Sequence, residues 1–254
     1  MEKVFHPEFK KFEMKFDFLI QNFKKSGEFI GLGKRNVIKA FEVEYFKVNI
    51  KSFRKPGLLN GFIYGYLRKS KAQRSFEYGN ILLSKGIGTP QPFAYYLEKS
   101  ILGLGSSYYF SEHQDIDGMF QDLIFDKNFP NRDEIIKQTA VFFFKIHEKG
   151  IEFLDNTAGN TLFKKIGENE YAFFLVDLNR MRFDKELSLD HRIKNISRLT
   201  ADAHINGVLS REYSKLYAVS EAFFYDELQK ESTAVLNKFN KKRRMKKMLK
   251  FWKK

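Results

Sequence analysis

The chain contains no cysteine, which excludes a disulfide scaffold, a thiolate zinc site, an iron–sulfur cluster and a cysteine nucleophile. Long apolar runs are missing too. The longest stretches, such as 140–144 (AVFFF), fall far short of the ~20 residues that span a bilayer. Residues 1–25 interleave acids and bases where a signal peptide would carry an apolar core. The expectation is a cytoplasmic protein. There is one tryptophan and no arginine/aromatic signature of RNA binding, which argues against nucleic acid as a partner. No tandem repeat or low-complexity linker divides the sequence.

What is present suffices for a folded chain with a substantial core: 254 residues, 43% apolar and 30% charged. At ~150 residues per domain this suits one bilobal domain or two small ones. Phenylalanine is abundant, 29 residues, and implies an aromatic-packed core. The net charge of +14 is uneven: residues 241–254 (KKRRMKKMLKFWKK) hold nine Lys or Arg and no acid, and without them 36 bases face 31 acids, leaving +5. Within that segment Met245, Met248, Leu249 and Trp252 recur at helical spacing. One apolar stripe among cations is the pattern of a helix lying in an anionic headgroup layer. A solvated tail or a nonspecific nucleic-acid arm is the plainer reading.

Residues 37–45 and 46–53 read as two strands, the second alternating Phe46, Val48, Ile50 against Lys47, Asn49, Lys51. Gly31-Leu-Gly33 upstream is a turn. Residues 74–85 read as a helix stopped by Gly86, and Gly88-Thr-Pro-Gln-Pro92 leads into further strand that ends over 106–112. A helix then starts at Asn131, with Glu134 as its capping-box partner. Its buried face is Ile136, Ala140, Phe143, Phe144 and His147, and Gly150 ends it. A short strand pair follows at 160–163 and 172–177, and two or three helices fill the remainder from Asp190.

The most specific segment is 147–163, HEKGIEFLDNTAGNTLF, in which a helix ends at His-x-x-Gly-Ile and is followed by Asp155 and, five residues on, Asn160. It resembles the catalytic loop of the protein-kinase-like superfamily. The resemblance implies that Asp155 accepts the proton of an attacking hydroxyl and that the Asn160 amide oxygen ligates Mg²⁺. Asp177, after the apolar run Phe173–Val176, resembles the aspartate that carries the metal in that superfamily. Gly31-x-Gly33-x-x-Asn36-x-Ile38 resembles the glycine-rich phosphate loop, and Val48-Asn49-Ile50-Lys51 resembles the strand that presents the phosphate-binding lysine. Glu77, in the following helix, is the candidate ion-pair partner of Lys51. Glu112, closing the last strand of this half, joins Gly31, Gly33 and Lys51 as a nucleotide-binding candidate. Phe153 and Leu154 replace the family's His-Arg before the aspartate, and Leu178-Asn179 replace its Phe-Gly. These departures argue against activation-loop phosphorylation and a protein substrate, and suggest a site held permanently active.

The connection over 54–74, the run 83–92 (LSKGIGTPQP) and the Phe-Leu-Asp155 loop resemble the bacterial lipopolysaccharide core kinases, over about residues 25–210. That resemblance implies an α+β, protein-kinase-like bilobal fold: a β-rich nucleotide-binding lobe with one helix over 1–113, a helical catalytic lobe over 114–240 and a basic tail over 241–254. It implies ATP and Mg²⁺ as cofactors and a sugar hydroxyl, Kdo or heptose on lipid A, as acceptor. An acidic glycolipid and the anionic inner face of the inner membrane, met through 241–254, are the expected partners. A small-molecule phosphotransferase of aminoglycoside or choline type shares the Asp155/Asn160/Asp177 scheme, and a non-catalytic kinase-like module is the reading outside enzymes.

Overall fold

The computed structural model describes residues 1–30, 36–57, 61, 63–101 and 103–251; Gly31 and Gly33 of the expected phosphate loop lie outside them. The chain forms two compact units, one made of Met1–Asp115 with Asp177–Asn179, the other of Ile116–Val176 with Arg180–Lys254.

The first unit is built on an antiparallel sheet of β1 (Glu2–Phe5), β2 (Glu28–Phe29), β3 (Asn36–Val43), β4 (Phe46–Phe53), β5 (Pro92–Ser100) and β6 (Gly103–Glu112), in the order β1-β5-β6-β4-β3-β2. The period-two pattern of β4 sets its register. Val48 and Ile50 are fully buried, in a cluster with Phe12, Phe16, Phe41, Phe93, Tyr96 and Phe110. Phe16 stacks on Phe110 at 4.9 Å and Phe9 on Phe93 at 3.9 Å, so much of the phenylalanine count is spent here. Residues 1–25, which carry no pattern legible as a core element, supply the edge strand β1 and the helix α1 (Glu13–Gln21) that brings Phe16 to the cluster. Lys39 of β3, 4% exposed, donates to the carbonyls of Phe23 (2.8 Å) and Ser26 (2.7 Å) and so ties the segment after α1 to the sheet.

Lys51 lies opposite Ile38 and Tyr109 in the ladder, on the face that alternates with Val48 and Ile50. The helix α2 (Lys71–Ser84) packs on β5 and β6. It begins three residues before the pattern indicates, because Ser70 caps it by accepting from the Gln73 amide at 3.0 Å. Gly86, at φ +68°, follows its end. Gly79, unfavourable in mid-helix by about 1 kcal/mol, has a reason to be there: a Cβ on it would lie 2.6 Å from the Pro92 ring.

The second unit holds β7 (Gly118–Met119), β8 (Glu152–Phe153), β9 (Thr161–Gly167), β10 (Glu170–Leu175) and β11 (Met181–Arg182), paired as β10-β9-β7 and β11-β8. Its helices are α3 (Phe120–Phe125), α4 (Arg132–Glu148), α5 (Leu189–Ile196), α6 (Ala203–Tyr217) and α7 (Glu221–Phe251). Helix α4 buries Ile136, Ala140, Phe143 and His147 as its spacing predicts, whereas Phe144 of the expected face is half-buried, and the helix packs on α6. Its capping box does not form. Asn131 takes a left-handed conformation (φ 56°) and donates to the Tyr171 hydroxyl at 3.1 Å, while Glu134 accepts from Gln138 at 2.9 Å. A side-chain cap requires an extended backbone at that position, which Asn131 does not have.

Helix α7 runs 31 residues without a break through residue 240 into the basic segment. Phe224, Leu228 and Ser232 are buried, and every residue from 233 to 249 is exposed. Val235, Leu236 and Phe239 thereby join Met245, Met248 and Leu249 as exposed apolar residues on the free part of the helix; Trp252 lies outside the described residues. Among the described residues no helix is long and apolar enough to cross a membrane.

Candidate active site

In the first unit, Lys51 Nζ donates to Asp177 Oδ1 at 2.7 Å across 126 residues of sequence, with the lysine side chain only 14% exposed. Asp177 sits at φ +59°, a left-handed conformation uncommon outside glycine. The surroundings hold it there. Asn179 donates to the same Asp177 oxygen, and its own main-chain carbonyl and side-chain oxygen accept from Arg74 Nη1 (2.7 Å) and Ser75 Oγ (3.2 Å) of α2.

This differs from the expected pairing. Glu77 is engaged by Lys69 at 2.8 Å and by Gln73 at 3.0 Å, and the carboxylate on Lys51 is that of Asp177. The reason is helical register: at 100° per residue Glu77 lies about 200° around α2 from Ser75, whose face holds the Asp177–Asn179 segment. Leu178 is buried beside Gly79. Glu112 closes β6 with its carboxylate on the Gln91 amide at 3.3 Å.

In the second unit, Asn160 Nδ2 donates to the Asp155 main-chain carbonyl at 2.9 Å. That bond fixes the amide, since the nitrogen must face the carbonyl, and leaves Asn160 Oδ1 without a partner among the described residues. Asp177 Oδ2 is likewise without one. Both are hard oxygen donors of the type Mg²⁺ takes. Among the described residues no group of three or more His, Cys, Asp or Glu is placed to hold a metal. Asp155 Oδ1 faces Arg180 Nη1 at 3.1 Å, and the Leu154 amide donates to the Arg180 carbonyl at 3.0 Å, extending the β8–β11 pairing.

The loop is anchored from below by Asn195 of α5. Its Nδ2 donates to the Phe153 carbonyl at 2.8 Å, and its carbonyl accepts from Asn156 Nδ2 at 2.9 Å, so one residue grips both sides of Leu154-Asp155. Asn195 Oδ1 then faces His147 Nε2 at 3.1 Å, and His147 Nδ1 lies 2.7 Å from the Tyr213 hydroxyl. The tautomer follows: Nε2 donates and Nδ1 accepts. Burial pushes the His147 imidazole down to about 4, so it stays neutral near pH 7 and keeps this pattern.

Asn195→Asp tests the anchor. It places an oxygen against the Phe153 carbonyl, costing roughly 1–3 kcal/mol for the lost donor, and the buried carboxyl can restore the bond only when protonated. The destabilisation against wild type, read from urea unfolding, should therefore grow from pH 5 to pH 8. An equal loss at both pH values would mean that this side chain does not hold the loop as described.

Arg180, Asn195, Arg74 and Ser75 are the residues that sequence reasoning missed. Arg180 alone had a visible signal, its place three residues after Asp177.

A β-sheet unit carrying a strand lysine paired to an aspartate, and a helical unit carrying an Asp-x₄-Asn loop, are the parts of a protein-kinase-like fold. No family model matches the sequence, and no curated protein matches it. Among solved structures the chain is similar to WaaP in complex with acyl carrier protein, with a TM-score of 0.59 and 15% identity over 92% of this chain and 99% of that one. The fold is similar to that of WaaP.

Proposed function

We propose that the chain is an ATP- and Mg²⁺-dependent kinase that transfers the γ-phosphoryl group to a sugar hydroxyl of the lipopolysaccharide inner core, Kdo or heptose on lipid A. The observation that carries this reading is the Lys51–Asp177 contact at 2.7 Å, which joins the strand lysine to the aspartate expected beside the phosphates. Lys51, with Gly31, Gly33 and Glu112, binds the nucleotide. Asp155 takes the proton of the acceptor hydroxyl, the acceptor oxygen bonds to Pγ, the bond from Pγ to the bridging oxygen breaks, and ADP leaves. Magnesium held through Asp177 Oδ2 and Asn160 Oδ1 would supply neutralisation of phosphate charge. Retention of Lys51, Asp155, Asn160 and Asp177 favours catalysis over a non-catalytic module. The test is transfer of label from γ-labelled ATP to Kdo-lipid A, with aminoglycosides and choline as competing acceptors. Label in the glycolipid alone supports the reading, and label in a cationic small molecule alone replaces it.

The partner surface for α7 in this reading is the anionic inner leaflet, each cation near it contributing about 1 kcal/mol. Removing residues 241–254 takes away no buried side chain among those described, the last being Ser232. The truncated protein should sediment less with vesicles of anionic lipid, and the full chain should lose binding as salt rises. Turnover of a soluble, delipidated acceptor should stay the same. Undiminished sedimentation would assign the basic segment to another polyanion.

A further inference from the structure

The contact between Arg180 and Asp155 bears on which sugar is phosphorylated. The Arg180 backbone is pinned beside the catalytic loop by the Leu154 amide, so the guanidinium is delivered to Asp155 by the main chain and not by a long unsupported stem. Two residue pairs along, Arg182 faces Glu152 at 3.1 Å, an ion pair that the proposed chemistry leaves undisturbed. Arg180 is in a different position. Its side chain is 58% exposed, it meets Asp155 at 3.1 Å through Nη1, and its other N–H donors have no partner among the described residues. When Asp155 takes the acceptor proton its carboxyl becomes neutral, and Arg180 loses at the moment of reaction the one counter-charge it has among the described residues. An acceptor that brings its own oxyanion restores that charge. It can also draw the guanidinium away from the base, which frees Asp155 to accept the proton. A cationic acceptor gains nothing here and is repelled.

We infer that Arg180 selects an acidic sugar, binding a carboxylate of the acceptor next to the hydroxyl that Asp155 deprotonates. This rests on the kinase reading and narrows it, because Kdo carries a carboxylate and heptose does not. The planar, forked guanidinium suits a carboxylate in a way that an ammonium or amide does not.

The test uses the full chain, Mg-ATP and two soluble acceptors, a Kdo glycoside and its methyl ester, with wild type, Arg180→Gln and Arg180→Lys. Wild type should prefer the acid over the ester by about 10–100-fold in kcat/KM, the range for a hydrogen bond to a charged group. In Arg180→Gln that preference should collapse towards unity with the KM for ATP unchanged, and Arg180→Lys should recover part of it. The oxyanion could instead be the γ-phosphate of the nucleotide. In that case Arg180→Gln would raise the KM for ATP and keep the acid-to-ester ratio, and the inference would be overturned. Equal use of both acceptors by wild type also overturns it while leaving the kinase reading standing. Labelling of neither acceptor removes the kinase reading itself, and this inference with it.

Discussion

Asp155→Asn should lower phosphoryl transfer by about 10²–10⁴-fold, the usual share of a general base, and should leave the fold and Mg-ATP binding nearly unchanged. The loop geometry explains why the effect is confined to chemistry. Asn160 bonds to the main-chain carbonyl of residue 155 and not to its side chain. The flanking Phe153 carbonyl and Asn156 amide are held by Asn195. The contact with Arg180 is part-exposed, and such pairs contribute about 0–1 kcal/mol. An asparagine therefore keeps the shape of the site and lacks the ability to take a proton, together with the charge that faces Arg180. Single-turnover transfer, thermal unfolding and nucleotide titration on the same preparation separate these effects. Full activity in the variant would remove Asp155 from the role of base.

Asp177→Ala should abolish the Mg²⁺-dependence of nucleotide binding that the proposed function requires. The substitution deletes the carboxylate proposed for the metal, and also leaves Lys51, 14% exposed, without its 2.7 Å partner. Asn179 loses an acceptor in the same change, so unfolding temperature should fall as well. Lys51→Met provides the contrast. It removes a phosphate contact but no metal donor, so ATP affinity should drop while some response to Mg²⁺ persists. Calorimetric titration of ATP with and without Mg²⁺ reads both variants. An Asp177→Ala protein that still gains affinity on adding Mg²⁺ would show that the metal is held elsewhere.

Strand β4 and helix α4 were legible in the sequence because each has one clean buried face: Val48 and Ile50 at period two, Ile136, Ala140, Phe143 and His147 at helical spacing. The partner of Lys51 was not. Motif order suggests a helix glutamate, but which helix residues face inward depends on where the helix starts and how it rotates, and the Ser70 cap and Gly79 contact that set this are tertiary facts. Helix α7 shows the opposite limit. Past Ser232 it touches no core, so no burial pattern marks its continuity with the basic segment or links the exposed Val235, Leu236 and Phe239 to it. Asn195 gave no signal, since a polar residue in a short amphipathic helix looks like solvent-facing surface until the Phe153 carbonyl is found against it.

The function proposed above requires Lys51, Asp155, Asn160 and Asp177 all to serve one phosphoryl transfer to a core sugar. The most direct measurement is a single-turnover assay with γ-labelled ATP, Mg²⁺ and Kdo-lipid A, run on wild type and Asp155→Asn at equal nucleotide occupancy. The account predicts label on the glycolipid with wild type, none after chelation of Mg²⁺, and a loss of about 10²–10⁴-fold with Asp155→Asn. Wild-type protein that binds Mg-ATP and leaves the glycolipid unlabelled would contradict it.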